Sequence, residues 1–491
     1  MRSAPIGTLV TRLTRLCTSR TWFVAASMFG IAAVAALLYG CHEPEEDENE
    51  GGPIVRVSVA TVTSVQANGG SGDGTRVFIG VPLSTNRRPG LSGDGRYVAF
   101  DSVATNLVPG LNTNNRRQIY VRDRETDLTE MVSVSSQGLP GNGDSFAPVI
   151  SDDGQTVVFE SLADNLIFGD TNGASDIFLR NRATRLTERI SQFTSGVQGA
   201  CSGTGAACAS FEPSINANAS VIAFGSASRL VNDDVDNQVD IYVLQRGSTL
   251  DMQRITVPAG ISPNPPIQGN PSVSADGQFV AFASTSTQLA TVVNTVDAVS
   301  DIFLYEMATR TIRKVTVPFS GAPADGNSFW PSVSGDGRYV AFWSNATNLT
   351  AAFPSTTSLA DVFVADMQTT VPRISLISLG LGNQSGNGDS QYPAISRDGT
   401  FVTFVSNANN FDTASTDPNS LFDVYRSERA CSPCRTTRVT VALAGQDVDQ
   451  NSFAPTTSAD GRTIAFFSDA TTLVPADTNG VRDAFIRLMP Q

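Results

Sequence analysis

After residue 53, apolar residues come in short runs such as Tyr97-Val98-Ala99-Phe100 and Ile177-Phe178-Leu179, separated by polar, glycine-rich stretches. Nowhere in this part of the chain do they recur at helical spacing. The runs follow a fixed order. The first opens on a proline and reads P-x-[VI]-S, with the proline at the one strand position that tolerates it. An Asp-Gly turn follows, in which glycine accepts positive φ and aspartate bonds its own backbone. Next comes a β-branched and aromatic run, a second strand. About fifteen residues later a third strand opens on aspartate, as in DIFLRN from Asp176, DIYVLQ from Asp240, DIFLYE from Asp301, DVFVAD from Asp361 and DVYRSE from Asp423. A fourth follows a short turn, as in Glu188-Arg189-Ile190-Ser191.

This unit recurs with opening prolines at Pro89, Pro148, Pro213, Pro271, Pro331, Pro393 and Pro455, giving seven copies at spacings of 58 to 65 residues. The stretch SGDGRYVAF is written twice, at Ser92–Phe100 and Ser334–Phe342. The third copy is degenerate, with Ala217-Asn218-Ala219 in place of the Asp-Gly turn. Four short antiparallel strands per unit describe a propeller blade, covered by neighbours on both faces and therefore apolar on both sides. The expected fold is all-β, a seven-bladed β-propeller over 54–491. The last unit stops after its third strand, Asp483-Ala484-Phe485-Ile486-Arg487-Leu488, and Ile54-Val55-Arg56-Val57-Ser58-Val59 reads as the missing fourth. The N-terminal strand is thus predicted to complete blade seven and remove two open sheet edges.

The pattern P-x-[VI]-S-x-D-G-x-x-[VI]-A-F followed by D-[IV]-[FY]-[VL] resembles the PD40 (WD40-like) repeats of TolB-type β-propellers, from about Ile54 to the C-terminus. The resemblance implies an exported propeller of the cell envelope.

The first forty residues differ in kind. Arg2, Arg12, Arg15 and Arg20 precede an uncharged apolar run from Thr21 to Gly40, the pattern of an export signal. Residues 1–40 therefore read as a signal peptide or membrane anchor. Leu38-Tyr39-Gly40-Cys41 resembles a bacterial lipobox, with Cys41 as the lipidated residue; an uncleaved anchor is the alternative, the run being just long enough to span a bilayer. Residues 41–53, which include HEPEEDENEGG, read as an acidic disordered tether. These features predict an outer-membrane or cell-surface lipoprotein, otherwise a periplasmic protein, because the arginines stay inside.

Four further cysteines form local pairs, Cys201 with Cys208 and Cys431 with Cys434, read as loop-stapling disulfides of an exported protein. The formal charge of −14 becomes four more negative once the leader arginines go, which disfavours nucleic-acid binding. The sole histidine, His42, lies in the tether, so no Ser-His-Asp or Cys-His arrangement exists in the propeller. Carboxylate pairs remain available for a glycosidase or lyase.

Two recurrent loops carry the remaining chemistry. Between strands two and three stand Asp170, Asn172 and Asp176; Asp417, Asn419 and Asp423; and Asp477, Asn479 and Asp483. Oxygen ligands at positions 1, 3 and 7 match the start of a calcium loop, whereas the same side chains also cap turns. Before each proline lies a second loop, with aromatics at Phe146, Phe211, Phe329, Trp330, Tyr392 and Phe453. These either pack between blades or form a ligand face. The expected function is a non-catalytic, monomeric, membrane-tethered scaffold that binds a protein or glycan partner, with calcium as an optional cofactor. The alternative is a glycoside hydrolase or polysaccharide lyase with acidic residues at the channel mouth.

Overall fold

The structure, a computed structural model, describes residues 52–490 apart from 61–64, 73–75, 79–80, 84–87, 114, 202–207, 236–237, 248–249, 257–266, 287–288, 290–298, 352–358, 383, 412–416, 418, 430–435, 443–444 and 446. The leader 1–40, Cys41, most of the tether and the Cys431–Cys434 pair lie outside the described residues. The described chain belongs to one unit, Gly51–Gln491.

Seven four-stranded antiparallel sheets are present among the described residues. Blade 1 runs through Gly90–Leu91, Tyr97–Ser102, Gln118–Asp123 and Leu128–Met131. Blade 2 runs through Ser145–Ile150, Thr156–Ser161, Asp176–Asn181 and Leu186–Arg189, and blades 3 to 6 repeat the order. Blade 7 consists of Ser452–Thr457, Thr463–Ser468 and Asp483–Leu488, completed by Ile54–Arg56 from the other end of the chain. The pairing is antiparallel, Ile54 opposite Arg487 and Arg56 opposite Phe485, as the sequence predicts. The chain is a seven-bladed β-propeller.

Burial follows strand position. Second and third strands are covered on both faces: all six residues of Thr156–Ser161 are buried. The fourth strand is an outer edge and alternates, with Leu128 and Glu130 exposed and Thr129 and Met131 buried. Every blade centres on one cross-strand aromatic pair, Phe100–Tyr120 in blade 1 through Phe466–Phe485 in blade 7. Ring centroids lie 5.8 to 6.1 Å apart, with planes 22° to 27° from parallel.

Neighbouring blades interlock at the Asp-Gly turns. Gly154 (φ 68°) lies over the Tyr97 ring of the preceding blade, where an added Cβ would come within 2.1 Å of the ring; Gly399 (φ 72°) lies over Tyr339 in the same way. The two tyrosines of SGDGRYVAF are therefore inter-blade packing residues. Arg96 and Arg182 cover Tyr97, with guanidinium carbons 4.8 and 4.6 Å from the ring centroid.

The S-x-D-G turns join in a circle of backbone hydrogen bonds through the residue two before the turn glycine or its equivalent, with Ala275 accepting and Asp276 donating in the fourth unit. Gly93 N–H donates to Asp152 O, Asp152 to Ala217, Ala217 to Ala275, Asp276 to Gly335, Gly335 to Arg397, Arg397 to Ala459, and Ala459 back to Gly93, at 2.7 to 3.1 Å. The degenerate third copy keeps its place through Ala217. The Arg397 guanidinium meets Asp152 from the opposite side of the ring.

Candidate functional site

The Asp-x-Asn loops fold as turns. Asn172 Oδ1 accepts the Ala174 N–H at 2.9 Å, Asn419 that of Leu421 at 2.8 Å, and Asn479 that of Val481 at 3.2 Å. The Asn172 and Asn479 amides also donate to Asp176 and Asp483, at 3.2 and 2.9 Å. Each final aspartate accepts a hydroxyl hydrogen bond from the end of its fourth strand: Ser191 to Asp176, Thr440 to Asp423, and Ser58 to Asp483, each at 2.5 Å. The same hydroxyls accept the N–H of the next residue, fixing the start of strand three.

A fixed cation stands beside these carboxylates. Arg56 lies 2.7 Å from Asp477 and 3.4 Å from Asp483. Arg189 lies 3.6 Å from Asp170 and 3.9 Å from Asp176. Arg438 lies 3.3 Å from Asp423 and 2.5 Å from Asp447. Blades 3 and 4 use Arg254 and Lys314 similarly. Asp447, which the repeat pattern does not mark, completes a group with Asp417 and Asp423 whose oxygens lie within 4.8 Å of one another. Burial pushes the Asp423 carboxyl up to about 7 despite Arg438, and raises Asp176 and Asp483 as well. Where the calcium reading places a divalent ion, each loop has a guanidinium. Chelation by EDTA is therefore expected to leave the melting temperature unchanged, and calcium to leave it unraised; a calcium-dependent upward shift would restore the metal reading.

Cys201 and Cys208 form a disulfide across the loop ahead of blade 3, with Cα atoms 5.3 Å apart. Removing it is expected to cost about 2–3 kcal/mol on the loop-entropy account, measured by denaturant unfolding of Cys201→Ser/Cys208→Ser.

The loops before the prolines and those between strands two and three share one face of the ring. They are clasped to each other by side chains. Asn142 N–H donates to Asn165 at 2.9 Å and its amide to Asp164 at 2.7 Å; Asn387 makes the matching bonds to Asn410 and Asn409 at 3.1 and 2.6 Å. Asp325 and Asp449 accept from Thr347 and Thr471, and Asn68 donates to Asn106 and Thr105.

The aromatics divide. Phe146 and Phe211 are buried, in keeping with the packing alternative and not with a ligand face. Phe453 is half-buried, with the Arg482 guanidinium 3.6 Å from its ring centroid. Trp330 lines the channel cavity, and Tyr392 meets it edge to face with centroids 5.1 Å apart. Among the described residues of this face, the exposed aromatics are Phe168 and Phe319, fully and 78% exposed. Sequence reasoning missed both. Phe168 had a signal, since it stands where units one and seven have Pro109 and Pro475.

A bulge explains the division. In blades 2 to 7 the residue before the proline has left-handed φ: Ala147, Glu212, Asn270, Trp330, Tyr392 and Ala454, between 39° and 56°. Two residues there oppose one on the second strand, as between Phe146 and Val149. The residue ahead of the bulge stays in the sheet, and in blades 2 to 5 the bulged residue lines the cavity. Its blade 1 counterpart is Arg88. The Arg88 guanidinium crosses to donate to Pro393 O at 2.5 Å and lies 5.6 Å from the Trp330 ring centroid. Burial lowers its pKa to about 10, leaving it charged at neutral pH. Glu212 accepts the Asn270 N–H at 2.8 Å. Inner-strand residues of the seven blades line a cavity of about 320 Å³.

No family model matches the chain, and no curated protein matches it. Solved structures do. An oligogalacturonate lyase from Vibrio parahaemolyticus aligns at 11% identity and a TM-score of 0.47, over 90% of this chain and 99% of that one. TolB from Acinetobacter baumannii aligns at 12% and 0.37, over 81% of each chain. The β-propeller domain of the Trilobed protease from Pyrococcus furiosus aligns at 10% and 0.46, over 83% of this chain and 97% of that domain. All three are likenesses of fold. Among the described residues, no helix is long and apolar enough to cross a membrane.

Proposed function

We propose that this propeller is a non-catalytic binding scaffold of the cell envelope, tethered through its N-terminal segment by a lipid on Cys41. It engages a protein or glycan partner through the long-loop face. The observation that carries this reading is the pairwise clasping of loops on that face, which holds Phe168 and Phe319 in water on a pre-ordered surface. Rigid presentation lowers the ordering cost of association. The carboxylates on the channel wall support the same reading, because Asp152 is bridged by Arg397 and Glu212 is held by Asn270.

The test is cross-linking in the native envelope followed by identification of the captured species. Phe168→Glu with Phe319→Glu is expected to lower capture at least tenfold while leaving the melting temperature in place, since both rings are exposed. Equal capture by the double variant would remove the loop face from the interface. Turnover of an acidic polysaccharide by the purified chain would overturn the non-catalytic reading.

A further inference from the structure

The central cavity is a second place where this molecule presents unsatisfied chemistry. At its turn end it is bounded by the closed circle of backbone hydrogen bonds and by the Arg397–Asp152 bridge. At its other end stand Arg88 and Trp330. Among the described residues Arg88 donates to Pro393 O, and its Nε is buried without a partner. Between the ends, the hydroxyls of Ser214, Ser272 and Ser332 line the wall. Each oxygen accepts a backbone N–H from the next blade, from Val273, Val333 and Ile395, at 3.0 to 3.1 Å. With that acceptor position used by the scaffold, the O–H of each serine is left to donate. The wall therefore sets the serine donors between Arg88 with its indole neighbour at one end and the Arg397–Asp152 pair at the other, while the second wall carboxylate, Glu212, already accepts the Asn270 N–H. A volume of about 320 Å³ is at the lower end of the 300–1,000 Å³ typical of ligand pockets.

We propose that the channel binds a small polyhydroxylated carboxylate, the size of a single sugar acid. Arg88 is its charge partner, the serine hydroxyls donate to its oxygens, and Trp330 is the wall against which its ring rests. A guanidinium presents paired donors that match a carboxylate. Tyr392, edge-on to Trp330, holds the indole in place. This site is separate from the loop-face interface and stands or falls independently of it.

The probe is D-glucuronate, with D-glucose as the neutral control and inorganic phosphate as the small-anion control, titrated into the full chain by calorimetry. Tryptophan emission reports the site in a Trp22→Phe/Trp343→Phe background, where Trp330 is the remaining tryptophan. Expected is saturable glucuronate binding with a change in Trp330 emission, at least tenfold tighter than glucose or phosphate. Arg88→Gln should weaken it at least tenfold and Arg88→Lys should restore part of the loss. Trp330→Leu, which leaves the guanidinium in place, is a second variant should Arg88→Gln fail to fold, and should weaken binding several-fold. Absence of binding up to about 10 mM, an affinity weaker than about 3 kcal/mol, overturns the proposal. So does glucose or phosphate binding as tightly as glucuronate, or equal glucuronate affinity in folded Arg88→Gln.

Discussion

A chain lacking residues 52–60 is expected to lose at least about 5 kcal/mol of stability and to associate through the opened edge of blade 7. The deletion removes the pairing of Ile54–Arg56 with Phe485–Arg487, the Val57 N–H bond to Ala484 at 2.8 Å, and the Ser58 hydroxyl on Asp483. It also removes Arg56, leaving Asp477 and Asp483 buried without their cation. Stripping the partner from a buried charge costs about 3–5 kcal/mol, and losing buried Val57 adds about 1.5–3 kcal/mol. Net stabilities are of order 5–15 kcal/mol, so the sum threatens the whole fold. An exposed strand edge also templates association. Denaturant unfolding and size-exclusion chromatography measure both effects, and a synthetic peptide spanning 52–60 should reverse them. A truncated monomer with an unchanged unfolding midpoint would show that the ring does not depend on its closing strand.

Arg438→Met carries the second large effect. The Arg438 side chain is 1% exposed and is the cation facing Asp423 and Asp447. Its removal is expected to cost about 3–5 kcal/mol at neutral pH. The pH dependence follows from Asp423, whose carboxyl is raised to about 7 by burial, against about 3.9 in an unfolded chain. Because the folded form holds its proton more tightly, its contribution to stability is full below about pH 4 and is lost as pH rises through 7. Without the guanidinium the carboxyl rises further, so Arg438→Met should be milder at pH 5 than at pH 8, and Asp423→Asn should flatten the wild-type profile between them. Equal destabilisation at both pH values would mean that lost packing, not charge, is the cause.

The architecture was legible because the repeat writes each strand's constraint in sequence: a proline at the first, an Asp-Gly turn, and an aromatic on each of the second and third. Even closure by Ile54–Arg56 could be read, from a fourth strand missing at one end and spare at the other. The site was less legible, for two physical reasons. Phe329 and Trp330 are adjacent aromatics, and only a bulge that sets Trp330 at φ 53° separates their roles. A bulge leaves no mark on spacing, so the sequence left packing between blades and a ligand face as open alternatives for Phe146 and Phe211. Likewise Asp176 and Arg189 sit thirteen residues apart on different strands, and the guanidinium beside the carboxylates appears only once those strands pair. The aspartates alone left turn capping and a calcium loop as alternatives. Arg88 was hidden differently, at the end of a segment that unit one has and the other units lack.

The bulge also bears on how such a protein changes. Its neighbours in sequence are held by the frame: a proline follows it, and a serine two places earlier is tied to the second strand in blades 2, 3, 5, 6 and 7. The bulged position itself is occupied by Ala147, Glu212, Asn270, Trp330, Tyr392 and Ala454, with Arg88 as the seventh, so nearly every class of side chain is tolerated there. Five of these positions, Arg88, Ala147, Glu212, Asn270 and Trp330, line the cavity, so the ring offers seats whose occupants can drift one at a time while the main chain around them stays put. A lineage built on this frame can acquire a new specificity by point substitution at the channel end, with little penalty to folding.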